Sequence, residues 1–370
     1  MSVGWNEYLG ASDTCAKYCE CHRRCKSSFE EHRRNILHAV EATKPKVVAC
    51  LGAGVLNDIP YESMIRSGAS IHLVDWIPDS IDTGIDLSII QNDESGQPHC
   101  IYCHPTVTCP QAYCRNYRSS STSAAAVCRS FVSIPGAPPR CAAYERGDQP
   151  RVHYEDVTAG YGAEFGREIL AELHGVRSWR QAFVRAQALA NRVDHHRTCT
   201  TIADASVQLV TSSMVISQFD HEPYQYFSHC AAGRLGLPTA KEEKRLLPLM
   251  KLLRETLLAK QVARHCEEIK RILAPGGYCY ISFEMFHVVP EKPQWFLVEG
   301  MATALDVIGR HFVFDFDILP QDQQMRRFQT GDTASLVFSF LLAHRSGSAG
   351  ASPARSVEPC PPARHPQVQG

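Results

Sequence analysis

No run of apolar residues in this 370-residue chain approaches the length of a membrane span; the longest lies near 336 to 343. The first thirty residues have no apolar stretch behind a basic start, so the sequence reads as lacking a signal peptide. Net charge is nearly absent, at -1 from 38 Lys and Arg against 39 Asp and Glu, which argues against a dedicated polyanion binder. No internal repeat is visible. These absences predict a soluble, cytoplasmic protein with no membrane partner. There the sixteen cysteines are reduced, bound to metal, or buried as small hydrophobes.

The length allows a large core and one or two domains. Charge is locally uneven. Residues 15 to 46 carry Lys17, Arg23, Arg24, Lys26, Arg33, Arg34, Lys44 and Lys46 against four acids. Residues 110 to 151 carry six arginines against Glu145 and Asp148. Each patch is either solvated surface or a phosphate-facing surface.

Residues 1 to 45 read as a helical lead-in. Cys21, Cys25, Phe29, His32, Ile36 and Val40 recur at steps of three and four, and Lys44-Pro45 stops the helix. "KVVACL" (46 to 51) is a buried strand, Tyr61 to Arg66 a helix broken at Gly68, and "SIHLVD" (70 to 75) a second strand. Residues 96 to 150 are rich in Cys, Pro, Ser and Arg with little periodicity and read as an irregular insertion. "RVHYEDV" is a strand ending at Asp156, 163 to 194 is helical, and "ASVQLVTSSMVIS" is a strand with the loop beyond it. A long amphipathic helix covers 240 to 273, with an interruption expected at Pro248. "APGGYCYISFE" is a turn entering a strand, and 293 to 308 is helical. "HFVFDFDIL" and "TASLVFSFLLAH" are strands joined by polar residues 320 to 332. The tail, 344 to 370, is Ser-, Pro-, Ala- and Gly-rich and expected to be disordered. Strands alternating with helices predict an α/β fold around a mostly parallel sheet, closed by two successive strands.

The chemistry-bearing segment is "VVACLGAGVLNDIPYESMIRSGASIHLVDW" (47 to 76): strand, glycine turn, helix, strand, acid. A ligand approaching a sharply turning backbone favours glycine, supplied by Gly52 and Gly54 around Ala53. Asp75 ends the second strand, where a carboxylate accepts hydrogen bonds from ribose hydroxyls. Asn57 stands where a dinucleotide fingerprint has its third glycine. A nucleotide-like cofactor is expected.

Element order and spacing resemble the class I S-adenosylmethionine-dependent methyltransferases. "VVACLGAG" is similar to their first motif, "IHLVDW" to the second, "VHYEDVT" to the third and "VQLVTSSMVISQF" to the fourth; "IKRILAPGGYCYISF" is similar to the segment that follows. The resemblance covers 46 to 343 apart from the insertion. It implies a Rossmann-like seven-stranded sheet with a terminal antiparallel strand pair. It also implies S-adenosylmethionine as cofactor, held by Gly52, Ala53, Gly54, Asp58, Asp75, Trp76, Asp156, Val157 and Ser212. Asp75 would meet the ribose, Asp156 the adenine amine and Val157 the ring through its backbone. Asp58 would lie near the methionine amine or the substrate, or would cap the following helix. The family's frequent acid two residues before the first glycine is Cys50 here, its third glycine is Leu56, and the aromatic-proline tetrapeptide of amino-group enzymes is missing after Val210. A sulfonium is already activated, so alignment and water exclusion carry the reaction, and a base is needed only for a protonated nucleophile. His221 and Tyr224, beyond the fourth motif, are candidate bases or surface-loop residues. The methyl acceptor has no motif to reveal it.

"CIYCHPTVTCPQAYC" sets Cys100, Cys103, Cys109 and Cys114 at spacings that would let four thiolates hold a structural zinc; free thiols or an iron–sulfur cluster are alternatives. "CAKYCECHRRC" nearly matches the radical S-adenosylmethionine loop but is one residue short in the last gap. Two other functions remain open. One is an NAD(P)-dependent oxidoreductase, which Asp75 would suit. The other is a non-catalytic protein- or RNA-binding module with a zinc-stabilised insertion, in which Tyr113 and Tyr117 among Arg115 and Arg118 stack on single-stranded RNA.

Overall fold

The computed structural model describes residues 4, 5, 8, 29–76, 80, 81, 90–92, 98–100, 150–158, 160–193, 200–289, 292–315, 319, 324–330 and 333–344. Helix α1 (Glu30–Thr43) buries His32, Asn35, Ile36, Ala39 and Val40, the apolar side of the expected lead-in. It ends where Lys44 turns left-handed (φ 44) before Pro45. Strand β1 (Val47–Leu51) starts one residue later than expected, and helix α2 (Tyr61–Arg66) and strand β2 (Ser70–Asp75) have the expected bounds. A two-stranded hairpin follows, β3 (Ile90–Asn92) with β4 (Pro98–Cys100). Then come β5 (Arg151–Tyr154), α3 (Tyr161–Glu172), α4 (Trp179–Arg192), β6 (Val207–Ser213), α5 (His221–Leu235) and α6 (Ala240–Ile272). The chain closes with β7 (Leu273–Val289), β8 (Lys292–Leu297), α7 (Met301–His311), β9 (Phe312–Asp315), β10 (Met325–Thr330) and β11 (Thr333–His344).

The main sheet runs β10-β11-β7-β6-β1-β2-β5, with β8 also on β7 and β9 also on β11. Pairs within β5, β2, β1, β6 and β7 are parallel, and β11 is antiparallel to β7. The inner parallel strands β1, β2 and β6 are largely buried on both faces, as their mostly apolar runs require, while β5 at the sheet edge is partly exposed. On one face Val262, Ile269 and Ile308 from α6 and α7 pack on Val210, Ile281 and Phe283. On the other, Ile36, Val40 and Met64 from α1 and α2 pack on Val48 and Leu73. A third cluster joins α3, α4 and α5 to the first half of α6 through Phe165, Phe183, Tyr226 and Leu253, and Trp5 stands edge-on to Tyr226 at 5.1 Å.

Several expectations are corrected. The sheet has nine strands rather than seven. They occupy seven lanes: β6 pairs with β7 up to Ser282 and β8 takes the same edge from Phe286 onward. Likewise β10 and β9 share one edge of β11 end to end. Residues 293–297 are therefore strand where helix was expected, and the polar stretch 320 to 332 contains β10. The helical span 163 to 194 is two helices. Helix α6 passes through Pro248 unbroken. Pro248 is exposed, and so is Lys244, whose carbonyl loses its donor to the ring and is left to water. Leu246, Leu253 and Leu257 bury both sides of the proline in one cluster. "APGG" is no turn ahead of the strand but an irregularity inside β7, which passes from Leu273, opposite Val207, to Tyr278, opposite Leu209. The disordered-tail expectation, most of the insertion and the first cysteine cluster lie outside the described residues. Among the described helices none is long and apolar enough to cross a membrane.

Gly52 has φ +72, and a Cβ there would lie 2.2 Å from Val215 Cγ2. Gly52→Ala is therefore expected to cost about 3 kcal/mol, from left-handed strain plus overpacking. Gly68→Ala, at φ +76 in open space, should cost only about 1 kcal/mol. Equal shifts of the two denaturation midpoints would refute the steric account.

Candidate functional site

Strand order reverses between β1 and β6: β1 is followed outward by β2 and β5 on one side, β6 by β7 on the other. Loops leaving the carboxyl ends of strands at such a switch point diverge and leave a crevice. Two non-glycine residues here have positive φ, Leu56 after β1 and Met214 after β6, both at φ 58. Strained backbone of this kind gathers at functional sites.

The glycine turn is tied to β2. Gly52 and Ala53 N–H groups donate to Val74 O at 2.8 and 2.9 Å, and Gly54 N–H donates to Asp75 Oδ2 at 2.9 Å. Ala53 and Asp75 are buried, while Trp76 is exposed. Gly52 is closed in by Val215, but nothing lies within 4 Å of a Cβ placed on Gly54. The backbone at Gly54 thus borders open space and faces the acid that follows β2.

Asp58 is nearly buried and its carboxylate accepts a hydrogen bond from Ser213 at the end of β6. Burial pushes its pKa up to about 6 against the pull of that hydrogen bond and the Arg33 guanidinium. Arg33, from α1, donates to Asn57 O. Helix α2 begins after Pro60 with no side-chain cap, so Asp58 does not serve as the helix cap considered above. Ser213 Oγ lies 2.9 Å from Ser282 Oγ, and Ser282 hydrogen-bonds Tyr280, whose hydroxyl donates to Ser339 Oγ at 3.1 Å. A buried polar chain therefore backs Asp58.

Asp156 lies just past β5, which ends at Tyr154. Its Oδ1 accepts from Thr158 N–H (2.8 Å) and Thr158 Oγ1 (2.6 Å). Val157 O is 2.9 Å from His265 Nδ1, and His265 Nε2 is 2.8 Å from Ser212 Oγ. A carbonyl only accepts, so Nδ1 carries the proton, and in the neutral ring Ser212 Oγ donates to Nε2. His265 is wholly buried on α6, which lowers its pKa to about 4. Ser212 is also fully buried, its hydroxyl committed to this histidine. Sequence reasoning missed His265, because its partners lie 53 and 108 residues away and a lone histidine in an amphipathic helix signals nothing.

His221 and Tyr224 sit in the first turn of α5, not in a loop, and His221 is exposed. Tyr224 is half-buried, with the Arg254 guanidinium 5.6 Å from its ring centroid. Burial raises its pKa. Arg254 Nε also donates to the buried Asp220 Oδ2 at 2.6 Å.

Of the zinc candidates, Cys100 ends β4 and Cys103, Cys109 and Cys114 lie outside the described residues. Among the described residues no cluster of three or more His, Cys, Asp or Glu side chains is placed to hold a metal. Cys50, Cys230, Cys266 and Cys279 are free and buried.

Five parallel strands whose order reverses between β1 and β6, followed by the antiparallel β11, make a Rossmann-like mixed α/β sheet. No protein-family model and no curated protein matches the chain. Solved structures do. A SAM-dependent methyltransferase from Methanosarcina mazei is 9% identical, with 80% of this chain and 92% of that one covered and a TM-score of 0.35. The 1,6-didemethyltoxoflavin-N1-methyltransferase of Burkholderia thailandensis, with bound 1,6-didemethyltoxoflavin and S-adenosylhomocysteine, is 10% identical, with 91% and 89% covered and a TM-score of 0.35. A SAM-dependent methyltransferase from Aquifex aeolicus is 9% identical, with 80% and 82% covered and a TM-score of 0.28.

The buried groups predict a pH dependence. His265, His32 and His72 have folded pKa values near 4, below the ordinary 6.5. Between those values the unfolded chain binds protons that the folded chain refuses, so their stability is complete above 6.5 and lost as pH falls toward 4. Asp58 works the other way, its penalty growing as pH rises from 3.8 through about 6. Burial raises the Asp156 carboxyl as well and lowers His153 and His311, so five histidines oppose two carboxyls and outweigh them. The thermal midpoint should fall between pH 7 and pH 5, and fall less in His265→Asn; a rise on acidification would refute this.

Proposed function

We propose that the protein is an S-adenosylmethionine-dependent methyltransferase. The observation that carries this reading is the Gly54 N–H held on the Asp75 carboxylate at the switch point, beside open space at Gly54. In this reading a nucleoside would lie along the turn, with ribose hydroxyls on Asp75, Trp76 beside it, and the Gly52–Ala53–Gly54 backbone along the chain that leads to the sulfur. Val157 N–H and Asp156 Oδ2 have no partner among the described residues and suit the edge of an adenine ring. Ser212 supports that edge from behind through His265. Asp58 is assigned to the amino-acid end of the cofactor or to the acceptor.

The cofactor would supply a methyl group on a sulfonium, already electrophilic. What falls to the chain is to align the acceptor and keep water out. The raised pKa of Tyr224 makes it a poor base at neutral pH, so between the two candidates His221 is favoured for an acceptor that arrives protonated. The acceptor is assigned no chemical class. Structural zinc in the insertion stays a proposal, tested by metal analysis of protein prepared without chelator; less than one equivalent would end it. A cytoplasmic location is likewise proposed.

Calorimetric titration should show binding of S-adenosylmethionine and S-adenosylhomocysteine but not NAD. Asp75→Ala should weaken both by about 10- to 100-fold, the scale of hydrogen bonds to a charged group. Binding of NAD alone would replace this reading with an oxidoreductase, and unchanged affinity in Asp75→Ala would remove the ribose assignment.

A further inference from the structure

The buried His265 has no part in the reaction proposed above, yet it stands between two segments of the candidate site. It holds Val157 O through Nδ1 at 2.9 Å and Ser212 Oγ through Nε2 at 2.8 Å. Val157 O belongs to the same peptide group as Thr158 N–H. That N–H donates to Asp156 Oδ1 at 2.8 Å. The peptide is therefore gripped at its oxygen by His265 and at its nitrogen by Asp156. A peptide group is planar and rigid, so fixing its oxygen fixes the direction of its N–H. The direction of that N–H in turn sets where Oδ1, and hence Oδ2, of Asp156 lies.

The imidazole is itself firmly held. His265 lies on α6, one of the helices that pack on the sheet, and the Phe219 ring meets it edge-on at 5.2 Å. Gln261, on the same helix, donates to Phe219 O at 2.6 Å and keeps that ring's backbone in place. Burial excludes water as a substitute partner for the Val157 carbonyl.

We infer that His265 is a positioning residue for base recognition: through the Val157–Thr158 peptide it orients the Asp156 carboxylate toward a 6-amino purine and against a 6-oxo purine. The inference rests on the proposed nucleoside site. Adenine offers an amino donor at position 6 and an acceptor at N1, which suit Asp156 Oδ2 and Val157 N–H. Hypoxanthine offers the reverse pattern, a 6-oxo acceptor and an N1–H donor, and sets an oxygen against the carboxylate. Discrimination between the two bases depends on the carboxylate being held in one orientation, since a loosened carboxylate can turn away from the oxo group.

The test compares S-adenosylhomocysteine with S-inosylhomocysteine by calorimetry on the full chain and three variants. Native protein should prefer the adenosyl ligand. In His265→Asn the amide N–H takes the place of Nδ1 and keeps the Val157 bond, so the preference should persist. In His265→Gln the amide reaches the Ser212 side and leaves Val157 O unheld; here and in His265→Phe the preference should drop about fivefold, the scale of one net hydrogen bond. Should the phenylalanine variant fail to fold, the Asn–Gln pair decides. A general loss of stability weakens both ligands alike and leaves their ratio unmoved. An unchanged ratio in His265→Gln, or an equal drop in His265→Asn and His265→Gln, would overturn the inference. So would a native protein that binds both ligands equally. A native protein that binds neither would instead overturn the proposed function.

Discussion

The lane of β1 is the constraint on which the rest depends. It is buried on both faces and paired on both edges, with β2 on one side and β6 on the other. A strand so enclosed can release its chain only at its carboxyl end, and the loop that leaves there must turn within three residues to avoid β2. Gly52 supplies the left-handed conformation for that turn, and Val74 and Asp75 receive its N–H groups. The loop after β6 leaves from the neighbouring lane, and Val215 fills the space a side chain at position 52 would need. The glycine turn and the acid beside it are thus one consequence of placing a doubly buried strand at the point where strand order reverses.

A second set of contacts ties the helical layers to this edge. Helix α1 brings Arg33 to Asn57 O and Asn35 to Ser339, while α6 brings His265 to Val157 and Ser212. Buried polar groups are costly unless satisfied, and these hydrogen bonds are made across elements rather than within them. The arrangement therefore fixes the relative depth of helix and sheet more narrowly than apolar packing alone. Asp58 differs from its surroundings as a carboxyl kept largely out of water, with Ser213 as hydrogen-bond partner and Arg33 as the nearby opposite charge.

What was legible in the sequence was whatever local chemistry announces. Strand β2 is bounded by Gly68 before it and Asp75 at its end, and α1 by Lys44-Pro45. The start of α6 carries a capping box of Thr239 and Glu242. The glycine turn and its acid were readable because both lie within one strand–helix–strand unit. What was hidden depends on partners far along the chain. Strands β8 and β10 have weak patterns of their own and are strands because β7 and β11 have free edge to offer them. Pro248 is tolerated because its helix is clamped by burial on both sides, which propensity cannot foresee. His265 belongs to the same class: its spacing is that of any helix residue, and its role comes from loops that precede it by many residues.

The division of two sheet lanes between paired segments also bears on how the molecule is made. Strand β7 is the spine of the sheet, yet its two edges are filled by β6, β8 and β11, drawn from both earlier and later parts of the chain. Of the main-sheet pairings, those of β10 with β11 and of β7 with β8 join consecutive strands with no helix between them, whereas β1 with β2 and β6 with β7 are joined across helices and the rest across intervening strands. The contact order is therefore high, and folding is expected to be slow relative to helical proteins of this size. During synthesis, β1, β2 and β5 emerge with one long edge of the sheet still open until β6 arrives, and β7 keeps a bare edge until β11 follows. That interval leaves strand edges open to pairing with other chains, so production of this protein should depend more on chaperone supply than its finished, well-covered sheet would suggest.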